Sequence, residues 1–180
     1  MNRFIDIDSN HILFKRDNMY YKEFSSDYSL IRFYTHLIMQ KAPLEIKEEL
    51  ILEQQISELI KNAVQHGNGC DVMKKVKVWF SFSDSNVRLI VEDEGDGFAD
   101  IEKWNKFQEE RIKAFSSCDF SKMNEYAVFK TERSGKHDGG NALFAAVQYW
   151  DAGFVFNSKR NSVAVGKNIL TRGESCFIPA

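Results

Sequence analysis

Only two prolines and three cysteines occur among the 180 residues, and neither sign of charge dominates. With so little proline, and no glycine- or serine-rich tract or internal repeat, nothing marks an interdomain linker. A chain of this length fits one compact domain, read here as residues 1–180. Cys70, Cys118 and Cys176 are odd in number, widely spread and free of any CxxC pair, which argues against a disulfide framework or a structural zinc site. A reduced, intracellular setting is favoured. A formal net charge of -2 supplies no basic field, so direct nucleic-acid binding has no electrostatic support. No apolar run approaches the roughly 20 residues of a membrane span, and the opening MNRFIDIDSNHILFKRD is too polar for a signal peptide. A soluble, cytoplasmic protein without a membrane partner is expected.

What is present begins with periodicity. HILFK and MYYKEF flank Arg16-Asp17-Asn18 and read as a short hairpin. Ser26 or Asp27 is placed to cap a helix through YSLIRFYTHLIMQ, with Leu30, Tyr34, Leu37 and Ile38 at helical spacing. Pro43 fits the start of a longer helix, PLEIKEELILEQQISELIKNAVQH, with Leu52, Ile56, Leu59 and Ala63 on one face and a stop near Gly67. VKVWFSF and VRLIVE alternate as two strands around Asp84-Ser85-Asn86. IEKWNKFQEERIKAF reads as a charged helix. SSCDFSKMNEYAVFKTERSGKHDGG has no clear period, and long segments of that kind inside compact domains are often functional. NALFAAVQYWDA reads as a helix, and FVFNS and SVAVGKNIL as strands joined by Lys159-Arg160-Asn161. Strands gathered in antiparallel hairpins pack most simply as a sheet covered on one face by helices. Trp79, Trp104 and Trp150 read as core.

Two stretches carry chemistry. On the long helix Glu58, Asn62 and His66 stand at i, i+4 and i+8, beside the apolar stripe, where polar groups can face a cleft. His66 has a simpler reading as a helix-end residue near the C-terminal dipole. VEDEGDGF ends a strand in clustered acids and spaced glycines. Asp and Gly suit a turn, but they also suit a loop in which the backbone approaches a flat ligand while an aspartate reads its edge.

SELIKNAVQHG, then VEDEGDGF, then ERSGKHDGGNALFAAVQYWDAGFVF together resemble the ATP-binding domain shared by DNA gyrase, histidine kinases and chaperone ATPases, the GHKL superfamily. Within it the order and size are most similar to the bacterial anti-sigma factor serine/threonine kinases, over roughly residues 20–170. The resemblance implies an α+β two-layer sandwich, a mixed and mostly antiparallel sheet with helices on one face, and a lid at about residues 99–140. It implies ATP and Mg2+ as cofactors. Asn62 matches the metal-binding asparagine, whose side-chain oxygen suits magnesium. Glu58 matches the general base. Asp93 matches the aspartate that accepts from the adenine amino group, and Gly95 and Gly97 match the paired glycines beside the base. Gly139 and Gly140, ahead of the last helix, match the phosphate-contacting lid motif; Arg133 and Lys136 beside them suit neutralising phosphate charge, touching a partner, or a solvated polar loop. GGNALF has Ala142 where the family's second lid glycine falls.

By this resemblance the protein binds a sigma factor and phosphorylates a serine on an anti-sigma antagonist protein, with a homodimer as a further expectation. An alternative keeps the nucleotide pocket without the chemistry, as a module that regulates a partner by sequestration; the altered lid motif motivates it. The catalytic half of a histidine kinase is disfavoured, since no pair of long helices with a phosphoacceptor His precedes the domain. A gyrase-type or chaperone-type ATPase is disfavoured for want of a second domain.

Overall fold

The computed structural model describes residues 4–47, 50–117, 120–129 and 142–169. Six strands form one mixed sheet in the order β1-β5-β6-β4-β3-β2: β1 Asp6–Ile7, β2 Tyr20–Ser25, β3 Lys75–Phe82, β4 Asn86–Glu92, β5 Gly153–Phe156 and β6 Ser162–Asn168. All neighbouring pairs are antiparallel except β1 with β5. The helices are α1 Ile31–Met39, α2 Leu44–Lys47, α3 Leu50–Asn62, α4 Ile101–Ser116, α5 Phe120–Glu125 and α6 Ala142–Tyr149.

Alternation decides which sheet face the helices cover. Val78 and Phe80 of β3 stand opposite Val91 and Leu89 of β4, which in turn meet Val163 and Val165 of β6, and Val76 of β3 stands opposite Phe24 of β2. These side chains form one buried layer with Ile38 of α1, Leu52, Ile56, Leu59 and Ile60 of α3, Trp104 of α4 and Val147 of α6. Each such side chain contributes roughly 1.5–3 kcal/mol when fully buried. The expected α3 stripe of Leu52, Ile56, Leu59 and Ala63 is buried throughout. On α1, Tyr34 and Ile38 are buried as expected, but Leu30 is 39 % exposed and Ile31 takes its place. Asp27 caps the 3-10 turn Tyr28–Leu30 that leads into α1, its Oδ1 accepting from Ser29 N–H at 2.9 Å.

The N-terminal hairpin is not formed. HILFK contains a 3-10 turn, Ile12–Phe14, and only MYYKEF supplies a strand, β2. Leu13 packs with Ile90, Val155 and Ala164 on the sheet face away from the helices, so residues 8–19 cross that face from the β1 edge to the β2 edge. The turn at Arg16-Asp17-Asn18 does form, with Met19 N–H donating to the Arg16 carbonyl at 3.2 Å and Asn18 at φ +58, but HILFK, anchored on the sheet face by Leu13, does not pair with β2 across it. Within the segment expected to lack a period, α5 forms a short helix. Trp104 and Trp150 are fully buried, whereas Trp79 is half-buried on the far face with the Arg16 guanidinium 3.5 Å above its ring.

Candidate functional site

A cleft of about 640 Å3 lies between the C-terminal half of α3, the end of β4, the start of α4 and the β5–β6 turn. Its walls carry Glu58 and Asn62 from α3, Asp93 and Gly97 from the loop after β4, and apolar surface from Leu59, Val91, Phe98, Phe154, Phe156 and Val163. An apolar slot with a few convergent polar groups is the usual form of a small-molecule site.

Asn62 ends the regular part of α3. The chain then makes one π turn, Ala63–Gly67, in which Asn68 N–H reaches back to the Ala63 carbonyl at 2.8 Å. Single π turns inside helices occur often at functional sites because the extra residue pushes the backbone outward. Here it carries Gly67 against Asp93: a Cβ on Gly67 would lie 2.3 Å from Asp93 Cγ. Asn68, nearly fully buried, locks the turn by accepting from Glu94 N–H at 2.7 Å and donating to Ser26 Oγ and the Lys75 carbonyl.

Asp93 is held by its backbone on the other side. Its N–H donates to the Asn161 carbonyl at 2.9 Å, and Asn161 Nδ2 donates to the Asp93 carbonyl at 2.7 Å. Its Oδ1 accepts from Gly95 N–H at 2.8 Å. Burial pushes the carboxyl up to about 6, against the lowering effect of the Gly95 N–H and of Lys159. A desolvated carboxylate with acceptor capacity left over is suited to accept from a ligand N–H group.

Gly97 has φ +90, and a Cβ there would lie 2.2 Å from the Lys159 carbonyl oxygen. The missing side chain lets the β5–β6 turn seat on the loop, with Phe98 N–H donating to the Arg160 carbonyl at 3.0 Å. Arg160 reaches α4, where its guanidinium pairs with both carboxylate oxygens of Glu102. Glu58 carries a loose ion pair with Lys61 at 3.4 Å.

The structure therefore brings Glu58, Asn62, Asp93 and Gly97 together in one cleft. Gly95 stands behind the wall, where a Cβ would lie 2.2 Å from the Gly67 carbonyl oxygen; its close approach is to the π turn. His66 is exposed and also borders the cleft, as does Ala142 at the start of α6. Arg133, Lys136, Gly139 and Gly140 lie outside the described residues. Arg160 and Asn161, which sequence reasoning took for a turn alone, are part of the wall, and no local pattern marks them. Among the described residues no group of three His, Cys, Asp or Glu side chains can hold a metal ion. A metal at Asn62 would thus share its ligands with the bound molecule, as magnesium does with phosphates. No protein-family model matches the chain, and no curated protein sequence matches it.

Proposed function

We propose that the cleft binds Mg-ATP and that the protein is a regulatory serine/threonine kinase of the anti-sigma type, with a GHKL ATP-binding fold. The observation that carries this reading is the meeting of Glu58 and Asn62 of α3 with Asp93, from a segment distant in sequence, in one cleft. Asp93 would accept from the adenine amino group, and the apolar walls would cover the faces of the base. That contact favours adenine over guanine, which offers a carbonyl at the same edge. Asn62 Oδ1 would hold magnesium, which supplies charge neutralisation at the phosphates. Glu58 would take the proton as the serine hydroxyl oxygen of an antagonist protein bonds to the γ-phosphorus and ADP leaves. Phosphoryl transfer depends chiefly on positioning and charge neutralisation, so a carboxylate on a rigid helix is a suitable base. A sigma factor and an antagonist protein are the partners of this reading.

A second reading is favoured by Ala142, which borders the cleft where the family has a lid glycine. In it the protein binds nucleotide and holds a partner without transferring phosphate. Binding and phosphotransfer assays on wild type and Glu58→Ala together separate the two. The kinase reading expects Mg-ATP affinity within about threefold of wild type and a fall in transfer to serine of at least about a hundredfold, the scale of general-base catalysis. Transfer retained by Glu58→Ala would remove Glu58 as base, and wild-type binding without transfer to any offered antagonist protein would leave the sequestering module.

A further inference from the structure

The N-terminal segment is fastened to elements that adjoin the cleft, and at Phe156 to a residue that lines it. At its start, Ile5 N–H donates to Asn105 Oδ1 of α4 at 2.9 Å, and Asn105 Nδ2 donates to the Ile5 carbonyl at 2.8 Å. One carboxamide thus satisfies both backbone groups of Ile5, as a neighbouring strand would. β1 has only two residues, too few to hold a sheet edge unaided. It lies between β5 on one side and, through Ile5, α4 on the other. Asp8 N–H then donates to the Phe156 carbonyl at 2.9 Å, and Ser158 N–H to Ser9 Oγ at 2.8 Å, which ties the segment to the β5–β6 turn. Leu13 fits where Gly153 has no side chain; a Cβ there would lie 2.7 Å from Leu13 Cδ1. Arg88 donates to the carbonyls of Ile12, Leu13 and Lys15, and Arg16 pairs with Glu92 at 3.0 Å, next to Asp93.

The pieces so joined are the start of α4, the turn bearing Arg160 and Asn161, and the end of β4. The turn and the end of β4 contribute lining residues, and α4 begins directly after the lining residues Ala99 and Asp100. The end of β4 and the β5–β6 turn are also bonded directly, through Asp93 with Asn161 and Phe98 with Arg160, whereas α4 meets that turn through Arg160 with Glu102, an exposed pair whose side chains keep 29 % and 63 % of their surface, and pairs of this kind hold weakly.

We propose that Asn105 is a positioning residue of the cleft, and that residues 4–16 are an intramolecular clasp through which it holds α4, the β5–β6 turn and the end of β4 in one arrangement around the ligand. The final step, an effect on Mg-ATP affinity, rests on the nucleotide reading above; the clasp itself does not.

Hydrogen exchange of the full 180-residue chain, wild type against Asn105→Ala, tests it. The expected result is roughly tenfold faster exchange at residues 93–108 and 157–161, the scale of one or two lost hydrogen bonds, with the centres of β3 and β4 at wild-type rates. Mg-ATP is then expected to bind roughly tenfold more weakly. Unchanged exchange at those segments, or an equal rise across β3 and β4, would overturn the clasp. Local opening with unchanged Mg-ATP affinity would overturn the positioning role. If wild-type protein does not bind Mg-ATP, the nucleotide reading and the positioning role fail together, and the exchange result still decides the clasp. Should Asn105→Ala not fold, Ser9→Ala at the exposed end of the segment is expected to speed exchange at 157–161 alone, and no change there would overturn the proposal.

Discussion

Asp93 concentrates the conflict between stability and binding at the residue scale. Its carboxyl is raised to about 6 by burial, so between pH ~4 and pH 6 the folded chain binds more proton there than the unfolded chain does. The sign follows directly: this group's contribution to stability is greatest below pH ~4, falls as pH rises towards 6, and stays low above it. Asn keeps an oxygen to accept from Gly95 N–H and removes the buried charge. Chemical denaturation of wild type and Asp93→Asn from pH 4 to pH 7 is therefore expected to show a stability difference that grows in favour of the variant up to pH ~6 and then levels. A difference independent of pH would contradict the desolvation of Asp93. A buried carboxylate kept at the expense of stability is the pattern of a binding residue.

Among the elements, the π turn after α3 decides whether Asp93 is in place. The stripe Leu52, Ile56, Leu59, Ala63 was legible because it repeats locally, and so were Glu58 and Asn62 beside it. The π turn was not legible, because the contact that shapes it, Gly67 against Asp93, joins two distant segments. Gly67 was expected only as a helix stop. The misread N-terminal hairpin has the same cause: HILFK carries alternation enough for a strand, but the sheet face that captures Leu13 comes from β4, β5 and β6. Gly67→Ala tests the close approach. With a Cβ 2.3 Å from Asp93 Cγ, it is expected to destabilise the fold by about 1–3 kcal/mol, the usual range for overpacking, and to weaken Mg-ATP binding by displacing the carboxylate. Wild-type stability and affinity in denaturation and titration would show that the turn yields freely.

At the scale of the molecule, one helix-covered sheet face forms the core and the cleft opens at its end, so stability and binding can be disturbed separately. Ile56, fully buried in the middle of α3, packs into the core and is not among the residues that line the cleft. Ile56→Ala is expected to lower unfolding free energy by about 2–5 kcal/mol while folded protein keeps wild-type Mg-ATP affinity. A matching loss of affinity by the folded fraction would show that core and cleft are one unit. The layered α+β plan was legible from hairpin order and alternation, while the parallel pairing of β1 with β5 was not, since a two-residue strand carries no period of its own. No helix among the described residues is long and apolar enough to cross a membrane. The most direct measurement is calorimetric titration of wild type and Asp93→Asn with ATP and ADP, with and without magnesium. The nucleotide reading predicts magnesium-dependent ATP binding to wild type and a loss of roughly tenfold or more in the variant, the scale of a hydrogen bond to a charged group. No heat of binding with wild-type protein, or equal affinity in the variant, would contradict it.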